Sequence, residues 1–156
     1  MFARSASPDF TKVPTSGRVK TFGSGWTGSV YLDTDVILAL LKVDDWLASQ
    51  VDPATLAEPK TSVATAIEVQ YVMEDEWNRD RLSTVHDAIV DEGVDLVPLT
   101  TDVMDEAGTL RRSYARINVF DAVHLGTAKC HDEAIVSTDT LYPDINEVDS
   151  LDPRDL

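Results

Sequence analysis

Four acidic residues are the strongest candidates for chemistry in this chain, because each lies among apolar or hydroxyl-bearing neighbours: Asp33, Glu68, Asp121 and Asp139. An ionised carboxylate in apolar surroundings is costly unless it is paired or binds a metal ion. Carboxylate oxygens are hard ligands, and a cluster without His or Cys partners favours Mg²⁺ or Mn²⁺ over zinc. If the four side chains meet in space, the chain therefore carries a divalent-cation site.

Each acid also has a purely structural interpretation. Glu68 follows Thr65 by three residues, which is the spacing of a capping box at a helix start. Asp121 stands where the first turn of a helix capped by Asn118 would lie, and the helix dipole stabilises acids there. Taken singly, the structural interpretation is the better one for these two residues. The presence of four such acids in one small domain favours the site.

Two of the acids follow short apolar runs that predict buried strands. Val30–Leu32 ends at Asp33, and the sequence from residue 36 to 41 continues as a helix. Ala134–Val136 is a second such run, and it is followed by Ser137, Thr138 and Asp139. Ligands of open α/β sheets bind beyond the carboxyl ends of the strands, so we expect Asp33 and Asp139 at the same edge.

The intervening sequence alternates in the same way between strand and helix signals. Further strands are predicted at residues 60–63 and 94–99. Helices are predicted with caps at Asp44, at Thr65, at Thr101 or Asp102, and at Asn118, with another helix over residues 79–91. Strands separated by helices indicate βαβ units. The predicted fold class is α/β, a three-layer α/β/α sandwich with a central, mostly parallel sheet.

The length of 156 residues suits one domain. We assign the domain to residues 29–150, with a leader over residues 1–28 that is rich in Ser, Thr, Gly and Pro and a short tail over residues 151–156. The leader is locally basic, with Arg4, Lys12, Arg18 and Lys20. These charges either form an arm that binds nucleic acid or are simply solvated, and the second interpretation is favoured.

The net charge of -15 bears on the environment of the protein. Acidic residues are dispersed along the whole chain and Lys is scarcer than Arg, which favours a salt-accumulating, halophilic source over an ordinary acidic protein. No apolar stretch approaches the ~18 residues of a membrane span. The single cysteine, Cys130, is expected to be a buried or half-buried thiol, and cytoplasmic location fits best.

Four segments together resemble the PIN-domain nucleases. They are VYLDTDVILALL, SVATAIEVQYV, FDAVHLGTA and IVSTDTLYPDI, which occur in the family's order and carry Asp33, Glu68, Asp121 and Asp139 in turn. The resemblance spans about residues 30–145. It departs from the family pattern at Asp35, where many members have Asn, and at Tyr142, where Phe is common. Residues 1–28 are not part of the pattern.

This resemblance implies a function. Single-domain members of this length are commonly VapC-type toxins, which are ribonucleases inhibited by a small VapB-type antitoxin and which commonly form homodimers. The implied reaction is Mg²⁺- or Mn²⁺-dependent hydrolysis of RNA. All four acids are then catalytic: Asp33 and Asp121 bind the ion, Asp139 binds it directly or through water, and Glu68 completes the site or positions the attacking water.

Other side chains are weaker candidates. Thr34, Ser137 and Thr138 either orient the carboxylates or satisfy loop backbone groups. Arg111, Arg112 and Arg116 either bind RNA phosphates or are the usual cations of a helix end, with the second slightly favoured. The histidines are interpreted as surface or packing residues, because they lack metal-ligand spacing: His86, His124 and His131.

Two other functions compete with the nuclease. The start Asp33-Thr34-Asp35-Val36 resembles the nucleophile motif of haloacid-dehalogenase-like phosphatases, but Glu68 and Asp121 would then have no role. A PIN fold that has lost its activity and only binds a partner is the second alternative. The presence of all four acids argues against it.

Overall fold

The structure is a computed structural model that describes residues 26–156. The leader predicted over residues 1–28 falls almost wholly outside the described residues, and so do its four basic side chains. No helix within residues 26–156 is long and apolar enough to cross a membrane.

A five-stranded parallel sheet forms the centre of the fold, with strand order β3-β2-β1-β4-β5. The strands are β1 Val30–Leu32, β2 Lys60–Ser62, β3 Asp95–Val97, β4 Ala134–Val136 and β5 Ser150–Leu151. The α-helices are α1 Thr34–Leu41, α2 Val63–Met73, α3 Arg79–Leu82, α4 Val85–Asp91, α5 Thr101–Ser113 and α6 Val119–Cys130. Short 3₁₀ helices occupy Trp46–Gln50, Pro53–Thr55, Tyr142–Asp144 and Pro153–Asp155.

The helices cover both faces of the sheet, and β1 shows how the sequence directs this. Val30 and Leu32 pack with the core of α1, α2 and α4, whereas Tyr31 between them packs with the core of α5 and α6. All three are buried because side chains of a strand alternate between the faces. The predicted three-layer α/β/α sandwich with a parallel sheet is confirmed.

The strand order reverses its direction beside β1. The chain moves from β1 to β2 and β3 on one side and then returns to form β4 and β5 on the other. The carboxyl ends of β1 and β4 therefore flank the point where the winding reverses, which is where open α/β sheets bind ligands. The two ends are joined directly, since the Asp33 amide donates to the Val136 carbonyl at 3.0 Å.

Several predicted helix starts were wrong in detail. The short helix at Trp46 is capped by Asp45, while Asp44 has a positive φ of 62°. Helix α2 begins at Val63, so Thr65 lies inside its first turn and does not cap it. The cap of α5 is Thr100, one residue before the predicted Thr101. The capping residue satisfies the amides of the first turn, and neighbouring polar residues compete for that role.

Two segments depart further from the prediction. The helix expected over residues 79–91 is two helices, α3 and α4, separated at Ser83 and Thr84. Strand β5 was not predicted, and it lies where the domain and its tail were expected to meet. Because this strand has only two residues, it has no apolar pattern that the sequence could show. Its pairing with Ile135 and Val136 of β4 defines it. Cys130 is exposed, contrary to the expected buried or half-buried thiol.

Candidate active site

Asp33 is buried at the junction of β1 and α1, with a relative exposure of 8%. Its Oδ1 accepts from the Thr34 amide at 2.9 Å, which caps α1, and its Oδ2 accepts from Ser137 Oγ at 2.7 Å. Burial removes water from the carboxylate and raises its pKa from 3.8 to about 6, although nearby His124 opposes the change and Asp35 adds repulsion. Asp33 is therefore a buried acid whose charge is only partly compensated by the protein.

Ser137 connects Asp33 to Asp139. Its hydroxyl donates to Asp33 and accepts from the Asp139 amide at 3.0 Å. The Asp139 carboxylate accepts in turn from the Leu141 amide at 2.8 Å, which curls the chain beyond β4. Thr138 serves a different acid, because both its amide, at 2.9 Å, and its hydroxyl donate to Asp35.

Asp121 lies in the first turn of α6, as the capping interpretation required. The Asn118 side chain accepts from the Asp121 amide at 2.8 Å, and the Asp121 carboxylate accepts from the Asn118 amide at 3.0 Å. Its other oxygen accepts from Tyr142 Oη at 3.3 Å. The capping role thus orients the acid and leaves it at the carboxyl edge of the sheet.

Tyr142 brings three of the four acids into one electrostatic environment. Its ring is buried, with 1% exposure. Burial raises the pKa of the phenol, and the negative charges of Asp33, Asp121 and Asp139 raise it further. Each of these acids therefore lies close enough to Tyr142 for its charge to affect the pKa of the phenol.

Glu68 is joined to the site by Thr34 and by His124. Thr34 Oγ1 donates to Glu68 Oε1 at 2.9 Å, and His124 Nε2 contacts the same oxygen. His124 Nε2 also lies 3.8 Å from Asp33 Oδ1. Burial by itself raises the pKa of Glu68, but the hydrogen bonds and the charge of His124 outweigh it, so that the pKa is lowered.

His124 is the residue that sequence reasoning missed. It is only 2% exposed, and its Nδ1 lies 2.6 Å from Tyr31 Oη. Burial disfavours the imidazolium, yet Tyr31, Glu68 and Asp33 together raise the pKa of His124 to about 10. A signal was available, since His124 follows Asp121 by three residues and residues so spaced share a helix face. His86 and His131 are exposed, as expected.

The donor set fits a hard divalent cation, because it consists of carboxylate oxygens around a buried acid of raised pKa. Among residues 26–156, no three His, Cys, Asp or Glu side chains already have the arrangement of a metal site. The side chains of Asp121 and Asp139 are half-buried rather than locked in the core. Because the acids are not yet arranged around one point, binding an ion would require their carboxylates to move toward it.

The predicted arginines lie at the α5–α6 turn. Arg111 and Arg112 are in the last turn of α5, and Arg116 is in the connection that leads to the first turn of α6. All three are exposed. Their position agrees with the usual location of cations at a helix C-terminus and also places them on the segment leading to Asp121.

Comparison with known proteins identifies the family of this fold and site. The family model described as the PIN domain matches residues 30–148, which include all four acids. The chain therefore belongs to the PIN-domain family, whose members are nucleases. It matches no curated protein in a sequence comparison.

Solved structures with the same fold include several toxin–antitoxin assemblies. VapBC from Salmonella typhimurium, solved bound to DNA, is similar with a TM-score of 0.67 and 17% identity over 80% of this chain and 98% of that chain. A toxin–antitoxin complex from Klebsiella pneumoniae has a TM-score of 0.63 and 18% identity, with 82% and 100% covered. VapBC2 from Rickettsia felis, bound to a promoter DNA fragment, has a TM-score of 0.64 and 13% identity, with 80% and 98% covered.

Proposed function

We propose that this chain is a Mg²⁺- or Mn²⁺-dependent endoribonuclease and the toxin of a type II toxin–antitoxin pair. The observation that carries the proposal is the gathering of acids beside the β1–β4 reversal. Ser137 bridges Asp33 and Asp139. Asp121, at the start of α6, accepts a hydrogen bond from Tyr142. Glu68 contacts His124, whose Nε2 also lies 3.8 Å from Asp33. Membership in a nuclease family supports phosphodiester hydrolysis as the reaction at this edge.

In this mechanism Asp33, Asp121 and Asp139 would hold the ion, and Glu68 would orient the attacking water. A bound divalent cation lowers the pKa of water and stabilises charge on phosphoryl oxygens. Ser137 keeps the Asp33 carboxylate in one orientation, and Thr34 donates one hydrogen bond to the Glu68 carboxylate. Arg111, Arg112 and Arg116 are candidates for holding RNA phosphates beside Asp121, because guanidinium groups bind phosphate in bidentate fashion.

Cleavage of a mixed pool of short RNAs tests this proposal. We expect wild type to cleave RNA with Mn²⁺ and to be inactive with a chelator. Asp33→Asn should lower the rate more than about 100-fold, since even residues that only orient ligands contribute about 10–100-fold. Asp91→Asn, which changes an exposed acid on α4, is the matched control and should cleave like wild type. Cleavage that persists in the chelator, or in Asp33→Asn, would exclude this mechanism.

The proposed partner is a VapB-type antitoxin, and an exposed apolar stripe on α2 is the surface we assign to it. Val63, Ile67 and Tyr71 are 36%, 51% and 82% exposed, and their spacing of four residues puts them on one helix face. Trp46, in the 3₁₀ helix that follows α1, is 62% exposed and is a further candidate for contact with the antitoxin. Leu47, next to Trp46, and Val69 of α2 are buried and belong to the core, so they are not part of this surface.

An antitoxin segment that carries an Arg would suit the acids of the site, of which Glu68 lies on the same helix as this stripe, because a planar guanidinium pairs with carboxylates. The similarity to a toxin–antitoxin complex from Klebsiella pneumoniae supports such a partner. Expression of wild type without an antitoxin should arrest growth, while expression of Asp33→Asn should not. Equal growth of the two strains would reject the toxin role even where RNA cleavage is measured. We also propose that the protein is cytoplasmic and forms a homodimer. Size-exclusion chromatography in concentrated salt tests the homodimer.

The two competing functions make different predictions. An inactive PIN fold that only binds a partner would leave RNA intact with Mn²⁺, as Asp33→Asn is expected to do. A haloacid-dehalogenase-like phosphatase would form an aspartyl-phosphate on Asp33. Mass spectrometry after quenching the reaction with acid would detect this intermediate. The PIN match over residues 30–148 and the contacts of Glu68 and Asp121 disfavour this second function.

A further inference from the structure

A chain of hydrogen bonds leads from the core of the sheet to Glu68. Ser62 Oγ lies 2.8 Å from Tyr31 Oη, which lies 2.6 Å from His124 Nδ1, and His124 Nε2 contacts Glu68 Oε1. The first three of these side chains are buried. The imidazole therefore has one nitrogen fixed in the core and the other at the acidic edge, so its ring orientation is defined on both sides.

Thr34 by itself does not hold Glu68 firmly. Its hydroxyl carries one hydrogen, but it lies within bonding distance of Glu68 Oε1, at 2.9 Å, of Thr65 Oγ1, at 3.3 Å, and of His124 Nε2, at 3.2 Å. When the proton points to Thr65, the carboxylate loses this donor. The Nε2–H of His124 is a second donor on the same oxygen, and Glu68 would otherwise be a long, 30% exposed side chain with free rotamers.

We propose that His124 is a positioning residue that holds the Glu68 carboxylate through its Nε2–H, so that Glu68 can orient water for RNA cleavage. This inference rests on the proposed function. Among the described residues, both hydrogen bonds to Glu68 go to Oε1, which leaves the lone pairs of Oε2 for a water molecule. The sequence gap of 56 residues between His124 and Glu68 is closed only by the packing of α6 against α2.

Two substitutions separate this role from simple packing. His124→Gln keeps an N–H near the position of Nε2, whereas His124→Asn keeps a polar group only near Nδ1. We expect His124→Asn to lower kcat about 10–100-fold with little change in KM, as for other residues that orient site groups. His124→Gln should recover a large part of this loss. The exposed His86→Asn is the matched control and should cleave like wild type.

A double-mutant cycle with Glu68→Ala tests whether His124 acts through Glu68. If it does, adding His124→Asn to Glu68→Ala should cause no further loss of kcat. Equal fractional losses in both backgrounds would overturn the proposal. So would equal kcat for the Asn and Gln variants when their melting temperatures are also equal, because the position of the N–H would then be irrelevant.

NMR of the imidazole N–H groups gives a readout that needs no RNA. In wild type labelled with ¹⁵N-histidine, His124 should show a downfield Nε2–H that exchanges slowly. Glu68→Ala should shift or broaden it without changing His86 and His131. An unchanged His124 signal would overturn the positioning role whatever the substrate is. If the signal changes as expected but wild type does not cleave RNA, the proposed function fails and the His124–Glu68 bond stands.

Discussion

Asp33 experiences opposing effects of burial and charge that a stability measurement can separate. In the unfolded chain it ionises near 3.8, and in the fold at about 6. Between these values the folded state binds more protons than the unfolded state, so stability falls as the pH rises. The penalty is absent below about pH 4 and complete above about pH 6, where a shift of two units amounts to about 3 kcal/mol.

Asp33→Asn should therefore stabilise the protein in a chelator at about pH 8 by as much as about 3 kcal/mol, and hardly at all at about pH 4. Asn remains a good helix cap, so α1 is preserved. Urea unfolding of both proteins at the two pH values measures the difference. Asp91→Asn, at an exposed site, provides the control. An advantage of Asp33→Asn that is the same at both pH values would show that the charge of Asp33 is not its cause.

The capping box of α6 links the stability of a helix to the orientation of a site acid. Asn118→Ala removes the bond to the Asp121 amide and should cost about 1 kcal/mol. Thr100→Ala removes the corresponding bond to Val103 in α5 and should cost a similar amount. Thermal unfolding compares the two variants. Only Asn118→Ala should also slow RNA cleavage, because only this cap orients Asp121, and equal cleavage by both variants would argue against that link.

Two glycines test how closely α5 and α6 pack. A Cβ on Gly126 would lie 3.1 Å from the Val103 carbonyl oxygen and 3.2 Å from the Ala107 nitrogen, and these backbone atoms cannot rotate away. Gly126→Ala should therefore destabilise the protein by about 1–3 kcal/mol, the usual cost of overpacking. Gly108 has nothing within 4 Å of its Cβ position, so Gly108→Ala should stabilise by up to about 1 kcal/mol through helix propensity.

Chemical denaturation of the two glycine variants measures both free energies of unfolding. The opposite signs are the informative result, because helix propensity alone predicts a gain at each position. A gain at Gly126 would mean that α6 stands further from α5 than the structure indicates.

The whole molecule carries a charge of -15, so its compact form is opposed by repulsion among acids. Raising KCl from about 0.1 M to about 2 M in a chelator should raise the melting temperature at pH 7, because the screening length falls to a few ångströms. At a pH near 4.3, the sequence pI, the same salt should have a much smaller effect. Calorimetry at the two pH values measures this, and equal salt effects would point to a cause other than charge screening.

The sequence by itself determined the elements that carry the acids. The apolar runs Val30–Leu32 and Ala134–Val136 became β1 and β4, and Asn118 capped α6 as expected. These signals act within a few residues of the chain, so they can be recognised without tertiary structure. The parallel three-layer architecture followed from the alternation of such elements. The domain limits, the roles of the four acids and the halophilic source remain predictions.

Only the tertiary structure decided which side chains meet. His124 contacts Glu68 and Thr34 across gaps of 56 and 90 residues, so no local spacing links it to them. Thr138 pairs with Asp35, 103 residues away, rather than with one of the four acids. Strand β5 exists because β4 offers it backbone partners, and its two residues have no pattern of their own. Sequence patterns report local burial and capping, whereas packing across the sheet sets contacts between distant residues.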